Sequence, residues 1–167
     1  VLVDLDGTPN KRRLGGNALI AVSMAALHAA AGTARQPLWR YLLGDAPALV
    51  PLPEIQIFGG GAHAGRRVDV QDFMVMAPGA ASFAQALDWT ADVYRAAGAR
   101  MADSGRLHGG ADEGGYWPAF DTNEDALECL LRAIEDTGRT PGDEVAISLD
   151  IAASELRSAG RYRLGLE

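Results

Sequence analysis

The chain has 167 residues, 48% of them hydrophobic, with 22 acidic and 15 basic side chains for a formal net charge of −7. That length holds roughly one domain of about 150 residues with enough apolar content for a core, which excludes disordered and collagen-like chains. The acidic balance argues against nucleic acid as the main partner, and the lack of an uninterrupted apolar run of about 18 residues predicts no membrane span.

Val1-Leu2-Val3-Asp4-Leu5-Asp6 carries no basic n-region or signal-type apolar run. Residues 1–16 are polar and turn-rich around Asp6-Gly7-Thr8-Pro9-Asn10. From Asn17 onward, Ile20, Met24, Leu27 and Ala31 recur at helical spacing, and Gly32 predicts the stop. A helical turn over residues 37–43 ends at Gly44. Pro47, Pro51 and Pro53 then mark an inter-domain connection rather than a regular element.

Beyond it, Glu54-Ile55-Gln56-Ile57-Phe58 alternates like a strand and runs into Gly59-Gly60-Gly61. Residues 68–77 predict a second strand, closed by Pro78-Gly79. A long helix opens at Ser82, which can cap the first amides while Gln85 reaches back. Phe83, Leu87, Thr90, Tyr94, Ala97 and Met101 mark its buried side. Residues 105–121 are Gly-rich and aperiodic. Another helix starts near Thr122, carries Leu127, Leu130, Leu131 and Ile134 on one face, and stops at Gly138. Residues 144–152 alternate strictly, with Val145, Ile147, Leu149 and Ile151 opposite Ala146, Ser148 and Asp150. Residues 161–166 read as one more short strand. Strands alternating with helices predict an α/β fold with a parallel component.

Three stretches set carboxylates or His beside glycines. Gly59-Gly60-Gly61-Ala62-His63-Ala64-Gly65 lets backbone approach a ligand, with His63 able to donate to a phosphate or hold water. A tight turn with a surface His is the plainer alternative. Asp112-Glu113-Gly114-Gly115 places two carboxylates in a Gly loop, suited to acid–base work, to a metal, or merely to solvent. Asp150 stands by itself on the polar side of its strand, where an inward, unpaired carboxylate is costly, so function is favoured there. Asp72 is the weaker candidate, since an edge strand would expose it. His28 lies among alanines and Cys129 on a leucine-striped helix, and both read as structural. The single cysteine excludes an intrachain disulfide and fits a reducing compartment. No P-loop, zinc spacing or Gly-x-Ser-x-Gly elbow occurs. The residues by themselves lead to an α/β acid-rich site, with metal dependence left open.

Five of these stretches also stand in a recognisable order. They are Leu5-Asp6-Gly7-Thr8-Pro9-Asn10-Lys11 with Leu14-Gly15-Gly16-Asn17-Ala18, then Gly60-Gly61-Ala62-His63-Ala64, and Gln71-Asp72-Phe73-Met74. Asp112-Glu113-Gly114-Gly115 and Leu149-Asp150-Ile151-Ala152-Ala153-Ser154-Glu155 complete the set. Over nearly its whole length the chain thereby resembles the enolase (phosphopyruvate hydratase) family. The resemblance implies that residues 1–47 are the helical C-terminal part of an α+β N-terminal domain. Residues 48–167 would be the first part of a (β/α)8 barrel, opening with two antiparallel strands and two helices. It further implies Mg2+-dependent, reversible dehydration of 2-phospho-D-glycerate to phosphoenolpyruvate in glycolysis, by a cytoplasmic homodimer or higher homo-oligomer.

Carried over residue by residue, the resemblance makes Asp150 the first of three carboxylate ligands of Mg2+. Glu113 becomes the acid that assists departure of the C3 hydroxyl, and His63 a substrate contact in a closed loop. Asp72 takes the place of a second acidic partner, catalytic and substrate-binding. The sequence also departs from the family: Asp72 stands for Glu, Gly59 for Asn, Ala111 for Gly, and Trp117-Pro118-Ala119 for Ala-Pro-Asn. These departures keep open a superfamily paralogue acting on another substrate. The family's Lys base, its Lys partner, two more metal ligands and a later His align past residue 167, and its mobile lid before residue 1. Lys11, the sole Lys among fourteen Arg, does not align with the base. A complete barrel takes about 250 residues. The 167-residue chain is therefore expected to be inactive by itself, as an enzyme portion or a non-catalytic interaction module, with an exposed sheet edge that favours association.

Overall fold

The computed structural model describes residues 1–166; Glu167 and the His63 side chain lie outside the described residues. Two compact units are present, Val1–Leu49 and Val50–Glu167.

The first unit contains α1 (Leu2–Asp6), α2 (Gly16–Thr33) and α3 (Leu38–Leu43). Residues 1–16 are therefore not all turn, because one helical turn precedes the loop. Asp6 organises the loop between α1 and α2. It is 2% exposed and accepts the Thr8 amide at 3.0 Å, the Thr8 hydroxyl, and the Leu14 amide at 2.7 Å. The Thr8 hydroxyl, together with these amides, holds its carboxyl below the ordinary range despite burial. α2 matches the predicted helix, yet Ile20 and Met24 on its apolar stripe are exposed. Among the described residues of this unit, Asp6 and Ala31 are the buried ones. Although its apolar run is interrupted, α2 is, by length and composition, apolar enough to cross a membrane. Asn17, Ser23 and His28 break the run, while the alanines between them keep the average apolar.

No regular element occupies residues 44–54, as the prolines predict. The second unit is built from β1 (Ile55–Gly59), β2 (Asp72–Met76), α4 (Phe83–Asp103), β3 (Leu107–Gly110), β4 (Tyr116–Pro118), α5 (Asn123–Asp136) and β5 (Ala146–Asp150). The strands form one sheet in the order β3-β4-β1-β2-β5. β2 runs antiparallel to both β1 and β5, whereas β4 is parallel to β1 through Phe58 and Tyr116. The fold is thus α/β with a parallel component, and among the described residues the sheet is open rather than a closed barrel.

α4 and α5 pack on each other and on the sheet, enclosing Phe58, Phe73, Met101, Leu130 and Ile134 at 0% exposure. Phe58 meets the edges of Phe73 and Phe120 at centroid distances of 6.4 and 5.3 Å. Both long helices start as their sequences direct. Ser82 Oγ accepts the Gln85 amide at 3.1 Å while Gln85 Oε1 accepts the Ala81 amide at 2.6 Å, and Thr122 Oγ1 accepts the Asp125 amide at 3.0 Å.

Four readings change. The buried face of α4 runs through Ala86, Thr90, Val93, Ala97 and Met101, leaving Phe83 and Leu87 exposed. β2 is half the predicted length. β3 and β4 lie inside the stretch read as aperiodic, because neighbouring strands rather than alternation hold them. The last strand is instead a hairpin of β6 (Arg157–Ser158) and β7 (Arg161–Tyr162). β5 lies inside its predicted span but covers five of those nine residues, and as an edge strand it leaves Leu149 39% exposed, with Ile151 just beyond it at 40%.

Candidate active site

Sheet order decides where the acids fall. Asp72, the first residue of β2, pairs with Gly59 on one side and Asp150 on the other. β2 is an inner strand, so Asp72 is buried at 5% exposure, against the expectation of a solvated edge position. Asp150 reverses the other way. It is exposed on the edge strand, and its Oδ1 accepts the Ala152 amide at 3.0 Å, so burial cost gives no argument for a role there.

Two carboxamides string three carboxylates together. Gln56 Nε2 donates to Asp72 Oδ1 and lies 3.4 Å from Glu113 Oε2. Gln71 Nε2 lies 3.2 Å from Asp72 Oδ2 and 3.4 Å from Asp150 Oδ2. The resulting row is Glu113–Gln56–Asp72–Gln71–Asp150, with the buried acid at its centre. Each N–H group stands where water would otherwise screen two like charges. Neither glutamine stands out in the sequence. Gln71 lies within a motif, and Gln56 looks like an ordinary polar position of an alternating strand.

The Asp112–Gly115 loop is held from behind. Tyr94 donates its hydroxyl to Gly114 O at 3.0 Å and stacks on Tyr116 at 4.3 Å between centroids. Burial first, and Tyr94 second, push the Tyr116 phenol up to about 12. Glu113, Gln56, Met74, Thr90 and Tyr94 border an open hollow of 610 Å³. The loop of residues 61–64 forms a single 3-10 turn, and the Trp117 indole N–H donates to its Ala64 carbonyl. His63 sits in that turn, but its side chain lies outside the described residues. Cys129 is half-buried, and burial pushes its thiol up, in keeping with a structural part.

The donor chemistry suits a hard cation, since Asp150 and its neighbours offer carboxylate oxygen. Yet among the described residues no group of three His, Cys, Asp or Glu side chains converges to hold a metal. A single exposed Asp150 is a partial fit to Mg2+.

Comparison with known proteins agrees with the order of the motifs. The family described as "Enolase, C-terminal TIM barrel domain" matches residues 47–167, and "Enolase, N-terminal domain" matches residues 1–42. The chain belongs to the enolase family. It is 46% identical over 169 aligned residues to "Enolase 1" of Desulfitobacterium hafniense (strain Y51), covering 99% of this chain. The chain spans 39% of the length of that enolase.

Proposed function

We propose that the full-length protein is an enolase that dehydrates 2-phosphoglycerate to phosphoenolpyruvate. The observation that carries the reading is the row of three carboxylates with Asp72 buried at its centre, in a member of this family. In that reaction a proton leaves C2, and the C3 hydroxyl departs as water once it gains a proton. Glu113, as a carboxylic acid, delivers the proton to the leaving C3 oxygen. Asp72 is its acidic partner, reached through the Gln56 amide, and His63 contacts the substrate. The C2 base is not assigned to this chain; Lys11 lies in the first unit, donating to Pro9 O at 3.1 Å. Asp150 would hold Mg2+ through a carboxylate oxygen, and the ion would offset the charge of the substrate carboxylate. In this reading the five-stranded sheet opens a barrel over residues 48–167, and residues 1–47 end an N-terminal domain. A cytoplasmic homodimer or higher homo-oligomer completes it.

The test is steady-state turnover by the full-length protein. Glu113→Gln is expected to lower kcat by about 10²-fold or more, the usual contribution of a positioned general acid. Retention of wild-type kcat would remove Glu113 from the mechanism.

One observation favours a second reading, an enolase relative with another substrate. The Ala111 methyl fills the space over Gly59 where a side chain would project into the site. A large gain in turnover of 2-phosphoglycerate by Asp72→Glu would support that alternative.

A further inference from the structure

Gln56 sits in a slot walled by two residues that have no side chain. A Cβ on Gly115 would stand 2.6 Å from Gln56 Oε1 and 3.0 Å from its Cγ and Cδ. A Cβ on Gly59 would collide with the Ala111 methyl and stand 3.4 Å from Gln56 Nε2. Glycine at 115 leaves the carboxamide its place, whereas a Cβ at 59 would meet the amide only at contact distance. Both ends of the amide are then used. The Gly115 amide can only donate, and it donates to Oε1 at 2.8 Å, which fixes which way the carboxamide is turned. Nε2 is thereby directed at Asp72 and toward Glu113. The side chain joins the backbone of the acid-bearing loop to the buried acid of β2.

We propose that Gln56 is a positioning residue that sets the separation of Glu113 and Asp72 through its own length. It touches no reacting atom and acts through the two acids. The inference rests on the dehydration reading and adds to it the residue that tunes the acid pair.

The span from the β1 backbone through Gln56 to the β2 backbone through Asp72 holds a fixed number of methylenes. Gln56→Asn shortens it by one, and adding Asp72→Glu restores the total. In the full-length protein with Mg2+, Gln56→Asn is expected to lower kcat on 2-phosphoglycerate by about 10²-fold, the cost of displacing a catalytic group by about 1 Å. KM should stay within about twofold, since His63, the remaining substrate contact, is untouched. The double variant should recover at least about tenfold of the loss, a coupling that only neighbouring residues show. Wild-type kcat in Gln56→Asn, or a double variant no better than the single, would overturn the proposal.

If the wild-type protein yields no phosphoenolpyruvate, the dehydration reading fails on its own. The positioning role is then decided by hydrogen exchange at the Gly115 amide. Exchange faster by about tenfold or more in Gln56→Asn supports the role, in line with the loss of a tethering bond. Unchanged exchange refutes it.

Discussion

A carboxylate at 5% exposure costs several kcal/mol to desolvate unless donors replace its water, and Asp72 has the Gln56 and Gln71 amides in that place. The space beside it is equally constrained. Because the Ala111 methyl lies where a Gly59 side chain would begin, Gly59→Asn should cost about 1–3 kcal/mol in urea unfolding, as overpacking does. Adding Ala111→Gly should recover most of that loss; no recovery would show that the two positions are independent. Tyr116 supplies a pH signature. Its folded-state pKa of about 12 exceeds the ordinary value of 10.0, so the folded state holds its proton longer. The corresponding stability is full below pH 10 and is lost as pH rises toward 12. Urea midpoints across that window should fall in the wild type and fall less in Tyr116→Phe. Much at this scale is legible in the sequence. Asp72, Glu113 and Asp150 stand in motifs, yet their burial depends on which strands are inner. Gln56 stays hidden because the contacts that give it a role come from residues 16 to 59 positions away along the chain.

Helix starts are local, and so the sequence carries them openly. Ser82 and Thr122 each accept the amide three residues on, and replacing either by Ala should cost about 1 kcal/mol in thermal or urea unfolding. A cost near zero would mean that tertiary packing holds those helix ends without the caps. Strands β3 and β4 are not legible, since four and three residues rich in Gly and aromatics show no alternation. β4 is held on the sheet by β1, and β3 in turn by β4. The face of α4 is misleading at its first turns because Phe83 and Leu87 outrank Ala86 in hydrophobicity, whereas Ala86 is the residue that is buried there. Asp69 joins distant segments in a way no pattern announces. It receives the Asn123 amide nitrogen and the backbone N–H groups of Gly165 and Leu166. Burial raises its pKa, but these donors prevail and hold its carboxyl below the ordinary range.

Across the whole molecule, burial is unequally shared. The core of Phe58, Phe73, Met101, Leu130 and Ile134 belongs to the unit Val50–Glu167, whereas Ile20, Met24 and Leu42 of the other unit are exposed. Native-state hydrogen exchange should therefore find its slowest amides in β1, β2 and α4, with α2 exchanging orders of magnitude faster. Equal protection of α2 would contradict this distribution. The order of five motifs makes the family legible from sequence, while the open sheet reflects strand pairings that no single motif encodes. The central claim is dehydration of 2-phosphoglycerate through the Glu113–Asp72 acid pair. Phosphorus NMR of the full-length protein mixed with 2-phosphoglycerate and Mg2+ tests it most directly. The account predicts growth of a phosphoenolpyruvate resonance that EDTA abolishes and Glu113→Gln slows strongly. A folded protein that leaves the 2-phosphoglycerate resonance unchanged would contradict it.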